Sequence, residues 1–184
     1  ARAVLQALFT PVEIVPDDGQ SRFTGYFEPT YPARLTPQPP CTEPIPARPS
    51  DLVTEGGAVY QLLPNGQRRP YPDRAEITRK GVEPLAYAHP ADVFFLQIQG
   101  SGRLVLPDGR TIRAVYAANN GQPFRSTANW LMQRGWITRG EASMTGIRAW
   151  MDRTSPARAR EAMNANPRFV FFNLEAEGAP TLGP

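Results

Sequence analysis

Residues 92–116, DVFFLQIQGSGRLVLPDGRTIRAVY, decide how the chain is read. Asp92 to Gln99 is rich in aromatic and branched apolar side chains, which predicts a buried strand. Gly100-Ser101-Gly102 interrupts the run, and Arg103 to Leu106 predicts a second strand. Pro107-Asp108-Gly109 then turns the chain, because an Asp-Gly pair readily takes the positive φ of a hairpin turn. Thr111 to Tyr116 follows as a third strand, and the whole stretch is expected to be a β-meander.

Working upstream, Asp73 is placed to cap a short helix through Ala75, Glu76, Ile77 and Arg79. Ala58 to Leu63 reads as a strand ending in a Pro64-Asn65-Gly66 turn. The stretch from Pro29 to Pro49 carries too many prolines for a helix or a central strand, and is expected to be a loop or an extended arm. Arg22 to Phe27 reads as a short strand. Downstream, Ser126 to Arg134 predicts a helix that stops at Gly135. Thr138, with Glu141 three residues on, predicts a capping box opening a second helix whose apolar face is Met144, Ile147, Trp150 and Met151. Ser155-Pro156 starts a third helix, and Arg168 to Leu174 is a final strand. Strands, then helices, then one more strand argue for an α+β fold, or a small β-barrel-like domain with helical additions, rather than a doubly wound sheet.

Composition narrows the function. The 184 residues carry 41% hydrophobic side chains, and the mean hydropathy is −0.40, values of a globular chain. No apolar run approaches the roughly 18 residues of a membrane helix. The first residues, Ala1 to Gln6, lack the layout of a signal peptide. Nineteen of the twenty basic residues are Arg, Lys80 being the one Lys, and they are scattered; nucleic-acid binding is not expected. Cys41 and His89 are the single Cys and single His, which excludes an internal disulfide and a zinc site of the usual kind; they lie far apart with no Cys-His signature for a dyad, and no G-x-S-x-G elbow points to a Ser-His-Asp hydrolase. No phosphate-binding Gly-rich loop follows a strand, and no cofactor or metal is expected.

Three segments concentrate groups suited to sugars: Phe23 to Pro29, Gln97 to Gly102, and Tyr116 to Phe124. Aromatic faces stack on pyranose rings, and neutral amides and hydroxyls pair with sugar hydroxyls. Each segment also has a plain structural reading. Gln99 to Gly102 suits a turn between strands, Asn120-Gly121 suits a turn, and Tyr26 and Tyr116 suit core aromatics with a wet hydroxyl.

Six ordered motifs resolve the choice by resemblance. They are Thr24-Gly25-Tyr26-Phe27-Glu28-Pro29, Arg74-Ala75-Glu76-Ile77, Gln99-Gly100-Ser101-Gly102, Tyr116 to Ser126 (YAANNGQPFRS), Ser143 to Trp150 (SMTGIRAW) and Asn166 to Phe172 (NPRFVFF). Their order and spacing resemble the MltA family of lytic murein transglycosylases from Thr24 to Phe172. The resemblance implies a periplasmic protein, tethered to the outer membrane by a lipid, that cleaves the β-1,4 bond between N-acetylmuramic acid and N-acetylglucosamine and leaves 1,6-anhydro ends. It implies two domains around a groove. Residues 28–165 would form an inserted β-barrel with helices, while 1–27 and 166–184 would belong to a double-psi barrel.

By the same resemblance, Thr24, Tyr26, Gln99, Gly100, Ser101, Tyr116, Asn120 and Gly121 would line the groove and bind peptidoglycan glycan strands. Ala118 and Asn119 stand where relatives often carry Gly-Lys, which puts one charged contact in doubt. The family's catalytic Asp lies C-terminal to the N-P-x-[YF]-V-F-F strand. No Asp follows Asp152 before Pro184, so this chain is expected to contain no catalytic residue and to grip glycan without cutting it. The alternatives are a non-catalytic peptidoglycan-binding module and a self-sufficient hydrolase using Glu28, for which no second carboxylate is evident.

Overall fold

The structure is a computed structural model that describes residues 13–15 and 42–176. The elements run β1 (Glu13–Val15), β2 (Glu43–Pro46), β3 (Leu52–Glu55), β4 (Ala58–Leu62), β5 (Arg68–Pro70), α1 (Arg74–Lys80), β6 (Pro84–Ala88) and α2 (Pro90–Gln99). Then follow β7 (Ser101–Val105), β8 (Thr111–Asn119), α3 (Thr127–Gln133), a 3-10 turn (Arg139–Glu141), α4 (Met144–Arg153), α5 (Pro156–Asn164) and β9 (Val170–Ala176). The fold is α+β. Its sheets have four strands (β1-β7-β8-β9), two (β2-β6) and three (β3-β4-β5). They close no barrel among the described residues, although a parallel bridge from Ala47 to Phe172 brings the two-stranded sheet against β9.

The stretch from Asp92 to Gln99 is a helix, not the expected strand. Its start and stop signals are local. His89 caps it by accepting the Ala91 N–H at Nδ1, Pro90 occupies the first turn, and Gly100 closes it at φ 86°. The strand reading fails because the helix is buried on opposite sides. Val93 and Leu96 enter the core beneath the sheets, while Ala91, Phe94 and Phe95 enter the core of the helical layer. A helix buried on most sides, with Asp92 and Gln97 engaged by Arg148 and Arg74 rather than by water, shows no solvent-facing stripe, so its run of side chains looks like a buried strand. The β7–β8 hairpin stands as expected, with Ser101 opposite Val115 and Val105 opposite Thr111. The meander is thus a helix followed by a hairpin.

Two further expectations are corrected. The capping box is present, with the Thr138 N–H donating to Glu141 Oε2 at 2.8 Å, but it closes only the 3-10 turn. Ala142 leaves helical geometry at ψ 49°, and Ser143 caps α4 afresh by accepting the Gly146 N–H at 3.0 Å. In the Pro-rich stretch, Glu43–Pro46 is a strand paired with β6. Its prolines alternate, which leaves Glu43 and Ile45 to serve the one ladder the strand has, the condition under which an edge tolerates proline.

Strand β9 separates two cores. Val170 and Phe172 pack with Ile45 and Leu104, while Phe169 and Phe171 pack with Leu52 and Tyr71. The period of two sends successive side chains to opposite faces, so an unbroken apolar run is the signature of a strand buried on both.

Candidate glycan-binding site

The C-terminus of α2 and the entry of β7 place Gln99, Gly100 and Ser101 at one end of the β7–β8 hairpin. Ser101 pairs with Val115, so Tyr116, the next residue of β8, lies at the same end. Strand β8 bulges between Tyr116 and Ala118 against β9, and a bulge re-aims the side chain beside it. The Tyr116 side chain is 50% exposed. Its hydroxyl accepts the Asn119 amide N–H at 2.7 Å, and Asn119 Oδ1 in turn accepts the Gly121 N–H at 2.7 Å. The ring is therefore presented to solvent with its hydroxyl held, an arrangement suited to stacking on a sugar. Phe124, 54% exposed, offers a second bare aromatic from the loop that follows. Asn119, not among the expected groove residues, is what orients Tyr116; its signal was the Y-x-x-N spacing in the motif.

Asn120 is corrected. It is 1% exposed. Its Nδ2 donates to the carbonyls of Pro72 and Pro167, both at 2.9 Å. Its Oδ1 accepts the N–H of Phe169 at 2.8 Å and that of Gln122 at 3.4 Å. Two donors and two lone pairs are the whole capacity of an amide, so nothing is left for a sugar hydroxyl. Gly121 also has a local reason. It stands at φ 72°, and a Cβ there would sit 2.9 Å from Val59 Cβ, so glycine lets β4 approach the loop. Gln99 is half-buried beside the Met144 sulfur. Thr24, Tyr26 and Glu28 lie outside the described residues.

A buried ionic cluster joins α2 to α4. Arg148 pairs with Asp92 and reaches Asp152 at 3.5 Å. Burial holds the Asp92 carboxyl above its ordinary range, with Arg148 and His89 acting against it. Burial and then the Arg148 guanidinium hold the His89 imidazole below its ordinary 6.5, against the pull of Asp92 and Asp152. The neutral ring is the one that caps α2, since protonation turns the Nδ1 acceptor into a donor. The unfolded chain therefore takes up this proton more readily than the folded one. Stability from this group is complete above pH 6.5 and is lost as pH falls from there through the lower folded value. In urea unfolding, the wild type should lose more midpoint between pH 7 and pH 5 than His89→Asn, which keeps a capping acceptor but does not titrate. Equal losses in the two proteins would remove His89 as the source.

A family model described as the MltA specific insert domain matches residues 22–173. The chain belongs to the MltA family. It is 35% identical over 163 residues to the membrane-bound lytic murein transglycosylase A of Escherichia coli (strain K12), covering 86% of this chain and 40% of that relative. It is 31% identical over 177 residues to the protein of the same name from Vibrio cholerae, covering 90% of this chain and 42% of that one. The chain thus spans about two fifths of the length of these curated MltA relatives. Among solved structures, it resembles the membrane-bound lytic murein transglycosylase from Agrobacterium tumefaciens (TM-score 0.64, 27% identity, 91% of this chain and 46% of that one). It also resembles E. coli MltA with bound chitohexaose (TM-score 0.58, 32% identity, 77% of this chain and 38% of that one).

Proposed function

We propose that the protein containing this chain is a peptidoglycan lytic transglycosylase, and that these residues supply a wall of its glycan groove. The observation that carries the reading is the half-exposed Tyr116, with its hydroxyl held by Asn119, beside Gln99-Gly100-Ser101 in a chain of the MltA family. A relative of similar fold was solved with chitohexaose. In this reading Tyr116 stacks on a sugar ring, while Gln99, Ser101 and the Gly100 backbone serve its hydroxyl and acetamido groups. Gly121 shapes the adjoining loop, and Thr24 and Tyr26 complete the wall. Residues 28–165 are the inserted domain, and 1–27 and 166–184 belong to the larger one. The site of action is the periplasm, at the outer membrane.

The chemistry needs one acid–base group rather than two. The muramoyl O6 hydroxyl attacks C1, the C1–O4 bond to N-acetylglucosamine breaks, and a single carboxyl group protonates the departing O4 and takes the O6 proton. No water enters, so the second carboxylate of an ordinary glycosidase has no task. The work of these residues is to hold the strand so that O6 faces C1, which is where effective molarity is gained. Full-length protein incubated with murein sacculi is expected to release fragments with 1,6-anhydro ends. Fragments with wholly reducing ends would overturn the reaction, and sacculus binding without turnover would favour a binding module.

A further inference from the structure

Arg74 is a buried cation without a counter-ion. Its Nε donates to the Asn166 carbonyl at 2.8 Å, and its two terminal nitrogens donate to Gln97 Oε1 and the Arg168 carbonyl. Its guanidinium lies 5.0 Å from the centre of the Phe94 ring and 5.2 Å from that of Phe169. All three acceptors are neutral, and no carboxylate among the described residues pairs with it. Three of the five guanidinium N–H groups are thus committed and two remain. Desolvation without compensation is costly, and burial pulls the Arg74 pKa down to about 9. The three bonds and the two ring faces offset part of that cost, and the two uncommitted N–H groups can still serve an anion.

The space for one is beside it. Arg74 lines a cavity of about 190 Å³ between α1, α2, β2 and α5. Arg160 and Glu43 also line it and pair with each other, which leaves the cavity with the one uncompensated positive charge of Arg74. Ile77, Val82, Val93 and Met163 supply apolar walls. An apolar cavity of about 150 Å³ holds benzene, so this one, open at its rim, suits a ligand of roughly eight or nine non-hydrogen atoms. A single positive charge and apolar walls match a monoanion with a small hydrocarbon group better than a phosphate dianion or a metal.

We propose that this cavity binds a small carboxylate with an apolar substituent, of the kind that ends an alanyl peptide, with Arg74 taking the carboxylate. The choice of an alanyl ligand rests on the peptidoglycan reading, whose polymer carries such peptides; the carboxylate rests on Arg74 alone.

The intact protein is titrated with N-acetyl-D-alanine, with its uncharged amide and with inorganic phosphate, followed by calorimetry and by NMR shifts. N-acetyl-D-alanine should bind saturably, at least tenfold more tightly than the amide or phosphate. Thr78→Trp, which fills the cavity from its half-exposed rim, should abolish binding while the unfolding midpoint holds. Arg74→Lys, which keeps the charge but loses the fork, should weaken it at least tenfold. Amide or phosphate binding as tightly as the acid, no saturable binding by the wild type, or unchanged binding in Thr78→Trp would each overturn the proposal. Anhydro-end release from peptide-free glycan is measured on the same preparations and should be unchanged in Thr78→Trp. Its presence without N-acetyl-D-alanine binding sinks only the carboxylate site, and its absence in the wild type with binding intact sinks only the transglycosylase reading.

Discussion

Asn120→Leu is expected to lower the unfolding free energy by about 4 kcal/mol, a large part of the total for a domain of this size. The side chain bonds the carbonyls of Pro72 and Pro167 and the N–H of Phe169, and its own backbone N–H donates to the Phe169 carbonyl at 3.0 Å. It thereby ties the end of β8 to the entry of α1 and to the start of β9. Leucine fills a similar volume but leaves the Pro72 carbonyl and the Phe169 N–H unpaired, each costing about 1–3 kcal/mol, and leaves the Pro167 carbonyl with the Arg74 N–H alone. Urea unfolding measures the loss. A change below about 1 kcal/mol, with glycan affinity reduced, would show that Asn120 is a sugar contact after all and that its buried bonds count for little.

Gly146→Ala should cost about 3 kcal/mol or more, by steric conflict rather than lost bonds. Gly146 has no need of positive φ; its constraint is space. A Cβ there would lie 2.2 Å from the Glu141 carbonyl oxygen and 2.8 Å from its carbon. These are backbone atoms of the 3-10 turn, and the same carbonyl accepts the Ser143 N–H at 2.8 Å. Relief requires the capping-box turn to move away from the first turn of α4. Gly140→Ala is the control: six residues earlier, its Cβ would meet only Thr138 Oγ1 at 3.9 Å, and it should be close to neutral. Thermal unfolding of the pair decides the matter, and equal midpoints would refute the close approach.

Several of the motifs by which the chain is recognised turn out to be clamps. Asn166 accepts the N–H groups of Arg125 and Arg168, and the Pro167 carbonyl accepts from both the Arg74 backbone and Asn120. The Arg74 guanidinium reaches the Asn166 and Arg168 carbonyls. Three separate motifs thus meet at one buried junction. A resemblance built on such residues identifies the fold securely, yet it marks as sugar-binding some groups whose bonds are all internal. Tyr116 is the opposite case: its ring is open to solvent, and Asn119 acts on it from within the same motif.

Local signals were legible wherever a short stretch settles its own conformation. Asp73, Ser126 and Ser155 each cap the helix expected of them by accepting an N–H three residues on, and Pro107-Asp108-Gly109 turns the hairpin with Gly109 at φ 82°. These choices depend on side-chain bonds and φ preferences within one turn, and so are written in the chain itself. The conformation of Asp92 to Gln99 was not, because a segment enclosed by two cores loses the polar face that betrays its period. The fate of Asn120 was not either, since its four partners come from 2 to 49 residues away. An amide's sequence neighbours cannot say whether water, a sugar or a distant carbonyl will fill its bonds; that is settled only when remote segments pack together and exclude the solvent.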